Sequence, residues 1–267
     1  MIFASDLDNT LIYSYKRNIG LDKVVVELKG DKEMSFMSFY SHRLLKEIIK
    51  KVDFIPITTR SVEQYKRIEF LQNYCPNFAI VANGGILLKD GKIEKKWYEE
   101  SLEMIGTTLD EIDRGIELLL TDENIYFEVR KVDGLFGFSK SKKVEETVKN
   151  LKSELNLEKV SIYRQGEKVY IFPKVINKGT SLKRLKKILQ RNLKLDKIIC
   201  AGDSEMDVSM LELADISIFP EKLSRSIRSK NKKYSIDNEK LNSENLNEGK
   251  LFSDEILKIV EKSLVEA

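Results

Sequence analysis

Two aspartates near the start of the chain have the residue type and spacing best suited to chemistry. Asp6 and Asp8 follow the short, mostly apolar run of residues 1–5. In an extended backbone, residues two apart project on the same side, so the two carboxylates are predicted to lie side by side. Asn9 comes next, and asparagine tolerates the left-handed backbone that ends a strand. Crowded carboxylates require a cation or a proton, which suits a magnesium site and a nucleophile beside an acid.

Four more polar residues follow predicted strands or begin a predicted helix. Thr58 follows a buried strand, Lys178 begins a long basic helix, and Asp203 and Asp207 follow a later buried strand. In an open α/β sheet, the carboxyl ends of the strands meet at the edge where ligands bind. Carboxylates, a hydroxyl and an ammonium group at that edge suit a phosphate together with magnesium.

Each of these residues also has a simpler interpretation. A D-x-D-x-T sequence occurs on ordinary surface turns, and short motifs often match by chance. Thr58 could be a strand-end hydroxyl and Lys178 one solvated lysine among many, while Asp203 could cap a helix and Asp207 could be an exposed helix residue. The alternatives are plausible singly, but not together in this order and spacing.

The elements that position these residues follow two patterns. Strands alternating with helices near both ends of the chain predict a parallel sheet with right-handed crossovers and an α/β fold. Between them, a helix–strand–strand pattern occurs twice, which predicts an α+β module with an antiparallel sheet. We expect a discontinuous core of residues 1–85 and 177–267, with residues 86–176 inserted. The expected elements include strands at 52–57, 78–82, 125–130, 135–139, 160–164, 168–172, 197–201 and 216–219, helices at 61–71, 102–120, 144–155, 178–193 and 252–264, and a loop at 237–249.

Composition excludes several classes of protein. The 267 residues carry 46 Lys and Arg against 43 Asp and Glu, a balance that does not favour a nucleic-acid binder. We find no apolar stretch long enough to cross a membrane and no signal peptide, so a cytoplasmic protein is expected. His42 is the single histidine and lies in a predicted helix, which rules out a multi-histidine metal site. Nothing in the sequence indicates an oligomeric state.

The motifs resemble those of the haloacid dehalogenase (HAD) superfamily of aspartyl-phosphate phosphatases, in the order typical of that family. They are residues 6–10 (D-L-D-N-T), Thr58, Lys178 and residues 202–207 (G-D-S-E-M-D). The insertion resembles a type C2 cap, as in Cof-like and sucrose-phosphatase-like sugar phosphatases. The resemblance covers nearly the whole chain. It implies a Rossmann-like parallel-sheet core carrying an α+β C2-type cap.

The resemblance also implies a role for each motif residue. Asp6 would attack phosphorus, and Asp8 would protonate the leaving oxygen and then deprotonate water. Thr58 would hydrogen-bond a phosphoryl oxygen, and Lys178 would offset negative charge. Magnesium would be held by Asp6, the Asp8 backbone carbonyl and Asp203, with Asp207 as a water-mediated ligand or the partner that orients Lys178.

Substrate contacts are expected next to the motifs and in the cap. Asn83 and Gly84 would shape the entrance, and Thr59 and Arg60 would follow the phosphate-binding threonine. In the cap strands, residue type and position suggest Arg130, Arg164 and Tyr170, although each could equally be an ordinary residue of the sheet surface.

Three residues depart from the family pattern. Asn9 and Thr59 stand where glycine is frequent, and Met206 stands where asparagine is frequent. Asn9 is a mild change because asparagine accepts left-handed backbone. Thr59 is β-branched, so its loop is expected to run differently, and Met206 removes one hydrogen bond near the metal.

The sequence therefore predicts a magnesium-dependent phosphatase acting on a small phosphorylated metabolite, with a sugar phosphate as the leading class. A phosphosugar mutase or phosphotransferase would use the same two aspartates, and water access to the aspartyl phosphate would decide between the reactions. A non-catalytic protein that binds a phosphorylated metabolite is the third hypothesis. The intact cluster of Asp6, Asp8, Lys178 and Asp203 argues against it.

Overall fold

A parallel sheet and several antiparallel sheets make up the β structure of the protein. The computed structural model describes residues 1–190, 197–237 and 251–265. In chain order the strands are β1 (Ile2–Ser5), β2 (Tyr13–Ser14), β3 (Lys23–Lys29), β4 (Lys32–Ser38), β5 (Asp53–Pro56), β6 (Phe78–Val81), β7 (Ile86–Lys89), β8 (Lys92–Ile93), β9 (Arg130–Val132), β10 (Phe136–Lys140), β11 (Val160–Gln165), β12 (Lys168–Pro173), β13 (Ile198–Ala201), β14 (Ile216–Pro220) and β15 (Lys232–Ile236).

Helices cover the sheets and connect their strands. The α-helices are α1 (Phe39–Ile48), α2 (Val62–Lys66), α3 (Glu69–Tyr74), α4 (Lys95–Ile105), α5 (Leu109–Thr121), α6 (Val144–Glu154), α7 (Lys178–Gln190), α8 (Val208–Leu211) and α9 (Phe252–Val265). Short 3₁₀ turns occur at Ala82–Gly84, Gly106–Thr108, Glu205–Asp207 and Glu221–Leu223.

The central sheet is parallel and has the strand order β15-β14-β13-β1-β5. Strand β1 is buried on both faces: Phe3 packs in one hydrophobic cluster, and Ile2 and Ala4 pack in another. Helices α1 and α9 contribute to the first cluster, and α7 and α8 to the second. The predicted parallel α/β core is therefore confirmed.

The strands at the two lateral edges of the parallel sheet differ from the prediction. The predicted strand at 78–82 is β6, which joins the parallel sheet through a single bridge between Ile57 and Ile80 and pairs mainly with β7. At the other edge, β15 was not expected from the sequence, because its residues are largely polar and at least partly exposed.

A second sheet, antiparallel, lies within the inserted segment. Its order is β11-β12-β10-β9, and one of its faces packs on helices α5 and α6. Ile171 and Val169 lie on that face with Ile112 and Leu151. The opposite face carries aromatic side chains that join the main cluster of the core, among them Tyr170. The helix–strand–strand repeat is present as predicted.

Three predicted elements in the first half of the chain are divided or displaced. The predicted helix at 102–120 is two helices, α4 and α5, and the first begins at Lys95. Trp97 of α4 packs with the core cluster while Ile112 of α5 packs under the antiparallel sheet, and one straight helix cannot face both. The predicted strand at 125–130 has only an isolated bridge at Ile125, and β9 begins at Arg130. The predicted helix at 61–71 is divided into α2 and α3.

Two of the expected elements extend beyond the residues that the structure describes. The end of the basic helix at 191–193 and nearly all of the predicted loop at 237–249 lie outside the described residues. The domain division at 85/86 and 176/177 stays a prediction. Residue 86 begins β7, which pairs with β6, so a strand pairing crosses the first predicted boundary. Within the described ranges, no helix combines the length and apolar character needed to cross a lipid bilayer.

Strands β2, β3 and β4 form a small antiparallel sheet, which we call the flap (residues 13–38). It ends at Ser38, which caps the N-terminus of α1 by accepting a hydrogen bond from the Ser41 backbone N–H. Asp254 of α9 is fully buried and accepts hydrogen bonds from both serine hydroxyls and from the Leu251 backbone N–H. This carboxylate therefore joins the last helix to the first.

We expect Asp254→Ala to lower the free energy of unfolding by about 2–4 kcal/mol, because it leaves several buried donors without an acceptor. Urea denaturation followed by circular dichroism measures the effect. Glu261→Ala, at an exposed position of the same helix, is the matched control and should change stability by less than about 0.5 kcal/mol. Equal effects of the two substitutions would contradict the assignment.

Candidate active site

Lys178 lies at the centre of a buried group of charges. It is the first residue of α7 and is 1% exposed. Its Nζ is 2.7 Å from Asp6 Oδ1 and 2.5 Å from Asp207 Oδ1. Burial alone would lower the pKa of Lys178, but the two carboxylates outweigh it and raise that pKa. The structure thus joins the end of β1, the loop after β13 and the start of α7.

Asp207 is held by a complete set of hydrogen bonds. Its Oδ2 accepts from the backbone N–H groups of Asp203 at 3.0 Å and Ser204 at 2.9 Å, and from the Ser204 hydroxyl at 2.9 Å. Its Oδ1 pairs with Lys178. Of the two roles implied for Asp207, this geometry favours the residue that orients Lys178 over the water-mediated metal ligand.

Asp6, Asp203 and Asp207 form a buried acidic cluster in which one carboxylate oxygen of each lies within 4.8 Å of the others. Burial and the neighbouring carboxylates raise the pKa of Asp6 well above its ordinary value, although Lys178 opposes them. Burial and Asp207 raise the pKa of Asp203 to about 7. The cluster is therefore short of positive charge.

The donor set of the cluster fits magnesium. Asp203 Oδ1 accepts a hydrogen bond from the Thr10 hydroxyl at 3.1 Å, and Asp6 Oδ1 pairs with Lys178. Among the described residues, the second oxygen of neither carboxylate has a hydrogen-bond donor in the structure. Carboxylate oxygens are the hard ligands that magnesium prefers. Asp6 and Asp203 would hold the ion, with the Asp8 carbonyl as the expected third protein ligand.

Asp8 lies in a separate network with Arg60. The Arg60 Nε is 2.7 Å from Asp8 Oδ2, and its Nη2 is 2.8 Å from Asp8 Oδ1, a bidentate pair. Although burial alone would raise the pKa of Asp8, Arg60 lowers it to about 2. From the sequence we expect Arg60 to contact substrate, whereas the structure places its guanidinium on Asp8. Asn9 follows with φ +59°, the left-handed backbone expected of it.

Glu27 of the flap is a site residue that the sequence did not indicate. It is 3% exposed, and its Oε2 lies 2.8 Å from Arg60 Nη1 and accepts a hydrogen bond from the Ser35 hydroxyl at 2.6 Å. Its Oε1 lies 3.3 Å from Arg67 Nε. Glu27 therefore fixes the arginine that holds Asp8. No local motif marks it, because the contact spans the flap and the loop after β5.

Thr58 and Asn83 lie together beyond neighbouring strands. Thr58 is fully buried, its hydroxyl accepts from the Arg60 backbone N–H at 3.2 Å, and its carbonyl accepts from the Asn83 backbone N–H at 3.0 Å. Thr59, which lies between Thr58 and Arg60 in the chain, is half-buried. Asn83 has left-handed backbone with φ +55°, and its buried Oδ1 has no hydrogen-bond partner among the described residues. A buried acceptor of this kind is costly until a ligand or water satisfies it.

Gly84 has a packing role that the sequence did not reveal. Its φ is +110°, and a Cβ there would lie 2.9 Å from the Asn177 carbonyl oxygen and 2.9 Å from Ser181 Cβ. The residue thus lets the turn at Ala82–Gly84 approach the start of α7, which carries Lys178. Any larger side chain would push these elements apart.

The inserted sheet brings some of its predicted residues to the site. Tyr170 is 4% exposed and lies on the same face of the sheet as Lys168, two residues away in β12. Burial raises the pKa of Tyr170, and the charges of Asp8 and Asp6 add to this. Arg130 pairs with Phe138 in the register and therefore shares the face of Tyr170, but its guanidinium is paired with Glu128 at 2.6 Å.

The position of Arg164 corrects the sequence-based expectation. It pairs with Val169 in the register, so it lies on the face that packs toward the helices. Its Nη2 is 2.8 Å from Glu145 of α6. The structure therefore does not bring Arg164 to the site, because neighbouring residues of a strand point to opposite faces. Lys168, two residues from Tyr170, lies on the site face instead and was not predicted.

A cavity of about 270 Å³ opens between the inserted sheet and the core. Tyr163 and Phe172 of the inserted sheet line it together with Asn83, Glu205 and Met206. Met206 therefore places a thioether in the wall of this cavity.

Comparison with known proteins agrees with this geometry. A family model of haloacid dehalogenase-like hydrolases matches residues 93–243, more than half of the chain. The chain belongs to this family of hydrolases, which confirms the family predicted from the motifs and identifies the protein as an enzyme. A search of curated protein sequences finds no significant match.

Solved structures resemble this one over most of its length. A sucrose-phosphatase from Synechocystis sp. PCC6803, in complex with sucrose and phosphate, aligns with a TM-score of 0.55 and 14% identity over 88% of this chain and 91% of that one. A haloacid dehalogenase-like hydrolase from B. subtilis aligns with a TM-score of 0.52 and 16% identity over 87% and 93%. A HAD subclass IIB sugar phosphatase aligns with a TM-score of 0.54 and 12% identity over 87% and 92%. At these identities the likeness confirms the fold, a parallel core with an inserted cap.

We expect Glu27→Gln to lower the free energy of unfolding by about 3–5 kcal/mol, because it removes the buried negative charge that compensates two arginines. Denaturation in urea tests this. Glu33→Gln, at an exposed position of the same flap, removes the same charge and should leave stability within about 0.5 kcal/mol. A Glu27 variant as stable as the Glu33 variant would show that the buried pairs contribute nothing.

Proposed function

We propose that the protein is a magnesium-dependent phosphatase that hydrolyses a small phosphorylated metabolite, of the sugar phosphate class, through an aspartyl phosphate on Asp6. The observation that carries the proposal is the buried cluster in which Lys178 pairs with Asp6 and Asp207 while Asp203 lies within reach of both. A nucleophilic carboxylate, a cation for the phosphoryl oxygens and hard oxygen ligands for magnesium all meet there.

In the first step, a carboxylate oxygen of Asp6 attacks phosphorus, and the bond from phosphorus to the ester oxygen breaks. Asp8 gives a proton to the departing oxygen, so the alcohol leaves neutral. Lys178 and the Thr58 hydroxyl hold the phosphoryl oxygens as charge develops. Magnesium, when bound, neutralises the carboxylates and polarises the phosphoryl group.

In the second step, Asp8 takes a proton from water, and the water oxygen attacks the phosphorus of the aspartyl phosphate. The bond between phosphorus and Asp6 breaks, which regenerates the carboxylate and releases phosphate. The Arg60 pair keeps Asp8 ionised and oriented, a state suited to this second step. To act as the acid of the first step, Asp8 must take up a proton, and loosening of the Arg60 pair would favour that.

The inserted segment, residues 86–176, acts in this proposal as a cap over the site. Its aromatic face and Tyr170 meet the core beside Asp6 and Asp8, so a substrate must fit beneath it. The sucrose-phosphatase of similar fold, solved with sucrose and phosphate, supports a phosphorylated sugar as the substrate class.

The proposal predicts magnesium-dependent phosphate release from at least one member of a panel of sugar phosphates, other phosphorylated metabolites and an aryl phosphate. Asp6→Asn should lower kcat by about a thousandfold or more, because the amide is not a nucleophile. Removing magnesium with a chelator should abolish turnover, and adding it back should restore it.

Asp53→Asn is the matched control. Asp53 is exposed at the N-terminal end of β5, whereas the site lies at the carboxyl ends of the strands. The Asp53→Asn variant should retain wild-type activity. Turnover that survives the Asp6→Asn substitution would contradict the proposed mechanism. An isomerised sugar phosphate in place of free phosphate would assign the site to a mutase, and binding without either product would assign it to a non-catalytic protein.

A further inference from the structure

Two lysines of the cap lie opposite each other on the face that meets the core. Lys140 of β10 pairs directly with Lys168 of β12 in the antiparallel register. Side chains paired in this way project on the same face, with Cβ atoms about 4.5–5.5 Å apart. Like charges directly opposite each other destabilise a sheet. The opposition of the two charges is therefore unfavourable, although Tyr170 and Asp8 raise the pKa of Lys168.

Other cationic groups surround the pair. Lys16, from the start of the flap, and Arg130, from β9, each add positive potential at Lys140. Burial and these neighbouring cations lower the pKa of Lys140. Within the part of the chain that the structure describes, neither Lys140 nor Lys168 has a carboxylate oxygen within 4 Å.

The groups that offset this charge are few. Glu167 contributes an opposing charge at Lys140, but its Oε2 already accepts a hydrogen bond from the Tyr126 hydroxyl at 2.6 Å. Lys140 Nζ also lies 4.6 Å from the centroid of the Phe127 ring. Arg130 is itself paired with Glu128 at 2.6 Å, so the uncompensated positive charge on this face lies chiefly on the two lysines.

The position of the pair relates it to the reaction. Lys168 shares its face of the sheet with Tyr170, and its charge acts on both Asp8 and Arg60. Tyr170 in turn lies close enough to Asp6 and Asp8 to feel their charges. The two lysines therefore lie beyond Tyr170 on the face of the cap that meets the core beside Asp6 and Asp8.

We propose that the Lys140–Lys168 pair binds a second anionic group on the substrate. This inference rests on the proposed phosphatase activity and narrows it: the preferred substrate is a phosphate monoester whose leaving group carries a carboxylate or another phosphate. The anion lies between the two ammonium groups, and Tyr170 donates to the same part of the substrate. A neutral sugar phosphate lacks the charge that this pair requires.

Binding to the Asp6→Asn variant tests the inference separately from turnover. Calorimetry with magnesium present compares 6-phosphogluconate with glucose 6-phosphate, which differ by a carboxylate, and fructose 1,6-bisphosphate with fructose 6-phosphate, which differ by a phosphate. We expect the anionic member of at least one pair to bind at least about tenfold tighter, since charge-assisted contacts of this kind are strong. The pair that responds identifies the anion.

Introducing Lys168→Gln into the Asp6→Asn variant should reduce this preference about tenfold, and introducing Lys140→Gln should reduce it as well. Lys149→Gln is the matched control, because Lys149 is exposed on α6, on the far side of the cap, and the preference should not change. Raising the salt concentration should weaken the preference.

These outcomes distinguish the anion site from the phosphatase activity. Equal affinities within both pairs, no binding of either anionic member, or a preference that survives Lys168→Gln would overturn the inference while leaving phosphatase activity intact in the panel assay. A preference that depends on Lys168, in a wild-type protein that turns over nothing, would support the anion site and refute the phosphatase.

Discussion

The buried ammonium group of Lys178 is the interaction on which the rest of the site depends. A lysine at 1% exposure is costly unless it is paired, and here Asp6 and Asp207 both contact it. The pairing fixes the start of α7 against the ends of β1 and β13. Glycines make the approach possible: a Cβ at Gly179 would lie 2.3 Å from the Ser209 carbonyl oxygen. Three carboxylates against one ammonium leave a negative excess that a divalent cation would balance.

The two aspartates of the first motif lie two residues apart yet in opposite electrostatic environments. Burial and other carboxylates raise the pKa of Asp6, whereas Arg60 lowers the pKa of Asp8 despite burial. Environments that separate the pKa values of neighbouring carboxylates are how one site assigns different roles to the same residue type. In this protein the division depends on the flap, because Glu27 fixes Arg60. A small sheet outside the cap thereby becomes part of the candidate site.

The residues at strand ends were the predictable part of the site. Asp6 and Asp203 follow short buried strands, and a parallel sheet brings such ends to one edge. Glu27 was not predictable because its contact depends on how the flap folds over the loop after β5. Residue type alone suggests Arg164 and does not single out Lys168, because it carries no information on strand register. A change of one residue moves a side chain to the other face of the sheet. The fold shows the same division between local and long-range information. Apolar strands such as β1 and β13 are recognisable from their own residues, whereas the edge strand β15 acquires its form from pairing with β14.

The central claim is that Asp6 carries the phosphoryl group during turnover. The most direct test quenches the enzyme in acid within the first turnover on its best substrate, reduces the acyl phosphate with borohydride and maps the modified residue by peptide mass spectrometry. The account predicts modification at Asp6 alone, dependent on magnesium and substrate. Turnover with Asp6 unmodified at every quench time, or modification at Asp8 instead, would contradict it.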